Sequence, residues 1–582
     1  MTIRVYPREK QIRPGVTVTT NTDSLVGVAQ DSDKKLMLVG MANGGQPGVP
    51  ISITNFANAK SIFRGGDLLD AIEIALSPNA STSSGEIIAE RVGQATQASF
   101  TNGGLTLTSK LYSSDANGIQ TELQPNSLDA GTYNLGVYFT ADNYQSVYTN
   151  IGKIFSITYT GDAAYASVSV AVDSTSKIAT NLDLKTGADA NSATVIKSFP
   201  LAQGQYAKVS SLISDINVIQ GFTAQYYPYG NKNIQTAYLD ETAEVQLSED
   251  ATKPTYINSL AGDIVNTLSL YDSEISASYD PSKGEPKAYT MTNFTGGTQS
   301  ETSPASWSTE ISNFSTVDGY YLVPLTDDEA IQAEALSFVE DRTTEDDPKV
   351  LIVGGDINEQ ASASINRASL LRTIDAKVVV NASSGTRLMN DGTQRDLPAY
   401  IIAAGMGGLA SGLPIGEPIT FKTLDLIDID QKFTKSELDI LDEAGVVAVE
   451  FVRNRAQQVF RITDDVTTAN AMFDSDADKD PTLTELGTGE ATDFLVVDLR
   501  SQLEDLYIGT RTSLVTAKDL KTTIISFLTS KETEGVIVDY SESNIAVSVD
   551  GETATINMSV QPVRSLKHIN VSLNYTNTVI TA

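Results

Sequence analysis

Residues 398–413, PAYIIAAGMGGLASGL, constrain the fold of this chain more than any other stretch. The run carries no charge, is rich in Gly and Ala, and is bounded by Pro398 and Pro414. A helix that is apolar all round has no solvent face and must be buried. It is shorter than the ~20 residues that cross a bilayer, so it predicts a helix inside a protein core. The residues after it continue the scaffold to about position 468. Thr434 and Glu437 have capping-box spacing, and Phe433 and Leu438 have that of a hydrophobic staple. Gly445 stands where a helix ends on a left-handed residue, and β-rich runs follow at 446–452 and 458–463. Nothing in this stretch asks for catalysis.

Strand and helix patterns alternate around this scaffold. A buried strand is expected at 35–39, a helix at 68–76 capped by Asp67 and stopped before Pro78, and a strand at 85–92. The same grammar returns with a strand at 319–325 and a helix to 341 that starts on the capping-box pair Thr326 and Glu329. A strand at 349–353, a helix at 358–372 and a strand at 376–380 follow. Between these parts, residues 93–310 are rich in Thr, Ser, Asn, Gly and Tyr, with alternating β-branched residues and frequent turn residues. Helices are expected there at 206–216 and 255–270. Towards the end, helices are expected at 490–508, with Val496, Leu499, Leu503 and Leu506 at helical spacing, and at 516–530. Alternation into and out of Asp550-Gly551 predicts a hairpin.

The expected fold class is a multidomain α/β core, a mixed and partly parallel sheet flanked by helices, with inserted β-rich outer domains. The expected parts are an N-terminal arm (1–22), a discontinuous inner core (23–92 with 311–568), an inserted β-rich region of two subdomains (93–310), and a C-terminal strand and arm (569–582). A chain of 582 residues exceeds one ordinary hydrophobic core, which agrees with several domains.

Charge and chemistry narrow the function. With 40 basic against 73 acidic residues and a net charge of −33, the surface repels phosphate backbones, and no nucleic-acid partner is expected. The absence of cysteine excludes disulfides, thiolate metal sites and thiol nucleophiles, and the single His568 leaves no histidine-rich metal site. The start, MTIRVYPREKQIRPG, has no apolar leader, so no signal peptide is expected. Gly405-Met-Gly407-Gly-Leu-Ala410 matches the dinucleotide fingerprint, with Asp425 further on, but the fingerprint requires a strand-to-helix turn and these glycines fall inside the helical run. Asp474, Asp476, Asp478, Asp480 and Glu485 have the spacing of a calcium loop, yet Lys479 replaces the turn glycine and Pro481 follows, so a solvated acidic loop is the plainer reading. No nucleophile elbow surrounds His568. No cofactor is expected. Two alternating segments remain, Val16 with Val18 near the start, and Ile569, Val571, Leu573 and Tyr575 running towards Val579 and Ile580. Neither has a hairpin partner next to it, which leaves pairing within the chain or with another copy open.

Several motifs share an order and spacing along the chain. They are Arg13-Pro-Gly-Val16, Ile53-Thr-Asn-Phe-Ala57 with Gly65-Gly-Asp67, Thr295-Gly-Gly297 with Ser303-Pro-Ala-Ser-Trp307, and Tyr321-Leu-Val-Pro-Leu-Thr326. Pro398-Ala-Tyr400, Gly412-Leu-Pro-Ile-Gly416, Gly489-Glu-Ala-Thr-Asp-Phe-Leu495 and Pro562-Val563 continue the series, and the 569–575 strand closes it. In these the chain resembles, over essentially its whole length, the contractile tail sheath proteins of large myovirus-type bacteriophages of Gram-positive hosts. The resemblance implies a structural, non-enzymatic subunit that stacks in hexameric rings around a tail tube and contracts to drive it through the host envelope for genome ejection. It implies further that the arms centred on Val16, Val18 and the Ile569 to Ile580 stretch add strands to neighbouring subunits. The implied partners are other copies of the chain, the tail tube protein, and baseplate and tail terminator proteins, without membrane insertion. The implied location is the virion tail, assembled in the host cytoplasm. The alternatives are the sheath of a phage-tail-like bacteriocin, a cofactor-binding α/β enzyme using the Gly405 region, and a secreted calcium-stabilised surface-layer protein.

Overall fold

The computed structural model describes residues 34–247, 253–300, 304–453, 458–473, 475, 478–510, 516–567, 569 and 571–573. The chain divides into two compact units, one within 94–301 and the other within 20–93 and 302–582.

The second unit is built on a seven-stranded sheet. Its strands lie in the order Ile51–Ile53, Ile87–Arg91, Leu36–Gly40, Tyr321–Pro324, Val350–Gly354, Lys377–Asn381, Val446–Val447. Every neighbouring pair is parallel except the edge pair of Ile51–Ile53 with Ile87–Arg91. Leu36–Gly40, Val350–Gly354 and Lys377–Asn381 are buried at each residue, which is why they read as unbroken apolar runs rather than alternating ones. Successive residues still serve opposite faces. Leu36, Leu38, Ile352 and Val379 pack with the helices Asp67–Leu76 and Ala399–Gly412, whereas Met37, Val39, Val353 and Val380 pack with Trp307 and with Ile331, Ala335 and Val339.

The small-residue helix Ala399–Gly412 lies where its composition requires, with almost every residue buried. Its glycines are close-approach sites. A Cβ on Gly408 would stand 2.3 Å from the Ala75 carbonyl oxygen, and one on Gly412 would stand 2.2 Å from that of Ser83. Those on Gly405 and Gly407 would meet the side chains of Ile74 and Leu36 at 2.9 and 2.8 Å. The fingerprint-like glycines therefore sit mid-helix against protein; the strand Gln394–Leu397 enters this helix through Pro398, and no glycine stands at that turn to cradle a phosphate. The helix C-terminus faces a buried cation: Lys34 Nζ donates to the carbonyls of Ala410 (2.9 Å) and Pro414 (3.3 Å) and pairs with Glu490 at 2.7 Å. Glu490 also accepts the Tyr321 hydroxyl and the Gly416 N–H.

Several local expectations shift. Asp67 is the first helical residue rather than the cap, and its carboxylate accepts the Tyr400 hydroxyl at 2.8 Å. The helix Glu329–Thr344 is capped by Asp328, which accepts the Ala330 N–H, because that carboxylate stands nearer the orphan donors than Thr326 does. The capping box of Thr434 and Glu437 forms as spaced, and Gly445 takes φ +76°. The helix expected at 490–508 spans Leu486–Tyr507, and its buried residues include Leu486, Ala491, Phe494 and Leu495. Of the 496/499/503/506 stripe, Leu499 packs on the core shared with Ala491 and Leu495, whereas Val496 and Leu506 are each 50% exposed. The hairpin forms as Ala546–Asp550 with Thr553–Asn557 around Gly551 at φ +61°.

The first unit is antiparallel and has two hydrophobic centres. One gathers the strands Leu105–Tyr112, Ile119–Pro125, Tyr133–Phe139 and Tyr144–Ile151 against the helix Leu260–Tyr271. The other gathers Lys153–Tyr159, Tyr165–Val172 and Ala179–Gly187 against the helix Val209–Ile216. Residues 255–258, expected within a helix, form the strand Thr255–Asn258 on Lys153–Tyr159, where cross-strand pairing outweighs local helical preference.

Candidate assembly surfaces

The C-terminal segment is fixed to the body before its apolar stretch begins. Strand Val560–Pro562 pairs antiparallel with Ile537–Tyr540, and Thr488 Oγ1 donates to the Val563 carbonyl at 3.0 Å. Arg564 then pairs with Glu485 at 2.8 Å, and Lys567 Nζ lies 3.0 Å from Asp464 and 3.3 Å from Asp465. These carboxylates are buried or nearly so, which raises the energetic stake of each contact. Burial pushes Asp465 up to about 6, even with the Lys567 charge pulling the other way. Burial and the neighbouring Asp464 charge push Asp442 up to about 6 as well. Burial alone would lower the Lys567 ammonium, but Asp465 and Asp464 outweigh it and hold it above its ordinary value. The two basic residues act as a clamp on an acidic seat.

Beyond the clamp, Ile569, Val571 and Leu573 are 76%, 81% and 70% exposed. The alternation at 569–575 predicts a strand. Among the described residues these three belong to no strand. Tyr575, Val579, Ile580, Val16 and Val18 lie outside the described residues, as does His568.

Next to the clamp is an open groove of about 800 Å³ whose lining includes Phe421, Phe433, Leu438, Phe451, Arg461 and Leu566. One wall is a small antiparallel sheet in the order Thr423–Leu424, Gln458–Ile462, Val449–Arg453. Val449–Arg453 is an edge strand of that sheet among the described residues, and an edge presents backbone donors and acceptors to whatever docks there. Phe421 and Phe451 are partly open to solvent, and the Arg461 guanidinium stacks 3.7 Å above the Phe421 ring while pairing with Glu450 at 2.6 Å.

Two residues of the acidic run have partners within the fold. Asp480 caps the short helix Pro481–Thr484 through the Thr482 N–H, and Glu485 is turned to Arg564 and to the Thr488 hydroxyl. Asp478 is exposed and accepts the Ser475 hydroxyl, while Asp474 and Asp476 lie outside the described residues. Among the described residues no helix is long and apolar enough to cross a membrane. Sequence reasoning missed both the clamp and the edge strand. The Asp464-Asp465 pair and the basic residues just before 569 were the available signal for the clamp.

Comparison with known proteins places these surfaces in context. No family model matches the chain. It is 42% identical over 587 aligned positions to a tail sheath protein of Enterococcus phage phiEF24C, covering 100% of both chains. It is 37% identical to the tail sheath protein of Staphylococcus phage Twort, covering 98% of both. Among solved structures, a sheath tail protein from Desulfitobacterium hafniense superposes with a TM-score of 0.56 at 13% identity, over 95% of this chain and 98% of that one.

Proposed function

The chain belongs to the tail sheath proteins of bacteriophages, and from that premise we propose that it forms a contractile sheath of stacked six-membered rings around a tail tube. A phage tail sheath protein is a component of the virion tail, and its role is structural. In this reading contraction drives the tube through the host envelope, subunits moving as near-rigid bodies that stay joined to their neighbours. The unit built on the seven-stranded sheet is the inner body, residues 94–301 face outwards, and the subunits assemble in the host cytoplasm. Tail tube, baseplate and tail terminator proteins are the other partners.

The terminal segments are the joints. The observation that carries this is the row Ile569, Val571 and Leu573, which stands in solvent just past the Arg564 and Lys567 clamp. Alternating apolar residues held out this way bury nothing in a monomer and suit main-chain pairing with a second copy. The edge strand Val449–Arg453, beside the 800 Å³ groove, is the acceptor this reading assigns to an incoming arm. The N-terminal arm, around Val16 and Val18, plays the reciprocal part.

Negative-stain microscopy of purified protein at raised concentration or salt tests the reading. Rings or tubes are expected from the full chain. Removing residues 1–19, or the chain after Lys567, should leave a folded monomer that no longer polymerises. Tubes that form normally from either truncation would sink the arm mechanism, and a full chain that never polymerises would sink the sheath itself.

A further inference from the structure

Within the 94–301 unit, side chains of both hydrophobic centres converge on a cleft of about 460 Å³. Tyr133, Tyr279 and Glu285 come from one side, Tyr238, Asp240 and Glu241 from the other. The rings of Tyr238 and Tyr279 meet edge to face, centroids 5.5 Å apart at 74°, and both tyrosines are half-buried, so part of each ring is open to the cleft. Asp240 is held in place by the Leu260 N–H, 3.1 Å and 3.3 Å from its two oxygens, which leaves acceptor capacity unused. Lys177 and Lys287 line the same cleft.

We propose that this cleft binds a neutral saccharide. Its volume falls within the roughly 300–1,000 Å³ of small-molecule sites, which favour junctions between packed bodies. Aromatic faces are electron-rich and accept the C–H face of a pyranose ring. Carboxylates accept vicinal hydroxyls, and the lysines donate to ring and hydroxyl oxygens. Carboxylates and ammonium groups together give no single sign for a polyanion or a polycation to follow. A purely apolar ligand would strand these charges without partners. Burial, with the Glu285 charge adding to it, holds the Asp240 carboxyl up at about 7, so near neutral pH it can donate as well as accept. None of this depends on the sheath reading.

Saturation-transfer NMR on the full chain tests it, with maltotriose, cellotriose and chitotriose as neutral probes and a trigalacturonate as the anionic one. Transfer to the ring protons of at least one neutral probe is expected. Tyr279→Ala should weaken that binding about tenfold. Glu285→Gln, on the exposed rim and unable to unfold a core, should weaken it several-fold. Asp240→Asn should abolish the change in affinity between pH 6 and pH 8. Tyr229→Ala, at an exposed tyrosine outside the cleft, should bind as the parent does. The proposal is overturned by absence of transfer to all three neutral probes, by equal transfer in Tyr279→Ala and Glu285→Gln, or by stronger binding of the trigalacturonate.

Discussion

Replacing Gly408 with alanine adds one methyl group where two buried helices touch. The new Cβ would stand 2.3 Å from the Ala75 carbonyl oxygen, 2.6 Å from its Cα and 2.8 Å from its carbonyl carbon. All three are backbone atoms of the helix Asp67–Leu76, so no rotamer change can clear them. Restoring an ordinary contact of 3.4 Å means parting the helices there by about 1 Å, the difference between 3.4 and 2.3. A gap of about 0.5–1 Å forfeits roughly a quarter to a half of each dispersion contact along the seam. Against this, alanine gains about 1 kcal/mol of helix propensity over glycine. Overpacking of this kind costs typically about 1–3 kcal/mol and sometimes more, and a clash with rigid backbone belongs at the upper end, so the net loss should be about 1–2 kcal/mol. Gly405→Ala is the comparison, because there the methyl meets Ile74 side-chain atoms at 2.9 and 3.0 Å, which can turn aside. It should fall within about 1 kcal/mol of the parent on the same propensity scale. The assay is urea unfolding followed by fluorescence of Trp307, the chain's single tryptophan, buried in the same unit. With a denaturant slope of about 3 kcal/mol/M, the Gly408→Ala midpoint should fall by roughly 0.3–0.7 M. A midpoint at or above the parent's would show that propensity wins, and would refute the account of these glycines as close-approach sites.

Three further outcomes are expected. Burial, with the Glu310 charge adding, holds Glu90 at about 7 against an ordinary 4.5, so between those values the folded body binds more protons than the unfolded chain. Stability should therefore fall as pH rises from 5 to 8, by up to roughly 3 kcal/mol, and Glu90→Gln should flatten that slope and be the more stable form at pH 8 in Trp307-monitored unfolding. Glu490→Ala strands the Lys34 ammonium in the core and should cost about 3–5 kcal/mol on the same assay, much of it recovered by Lys34→Met with Glu490→Leu. The double variant Arg564→Ala with Lys567→Ala leaves the buried carboxylates of Glu485 and Asp465 without their cations and should cost about 3–5 kcal/mol in Trp307-monitored unfolding. Limited proteolysis after residue 563 should become much faster in that variant, and an unchanged cleavage rate would show that the clamp holds nothing.

Much of the body was legible because its signals are short-range. The capping box at Thr434 and Glu437, the Asp550-Gly551 hairpin and the burial of Ala399–Gly412 all follow from residues within a turn or two of each other. Where two local signals competed, the nearer or stronger acceptor won, as when Asp328 displaced Thr326 as cap. The 486–507 helix was found, but its packed face only in part (Leu499 packs, Val496 and Leu506 stand exposed), since periodicity marks an apolar stripe without saying which of its residues the body reaches. In the 474–485 run, spacing alone did not show that Asp480 caps a turn and that Glu485 answers Arg564.

By itself, then, the sequence determined the kinds of element, their approximate limits, the need to bury one uncharged helix, and the exclusion of cysteine chemistry. The order of the seven-stranded sheet was decided only in three dimensions, with Leu36–Gly40 lying between two strands that the chain makes more than two hundred residues apart. So were the match of Lys34 to Glu490, the seating of Lys567 on Asp464 and Asp465, and the edge at Val449–Arg453. The reason is one of range. Backbone preference and side-chain period act over a few residues, whereas a buried charge or a strand edge finds its partner through the packing of the whole body, and that partner leaves no mark beside it in the chain.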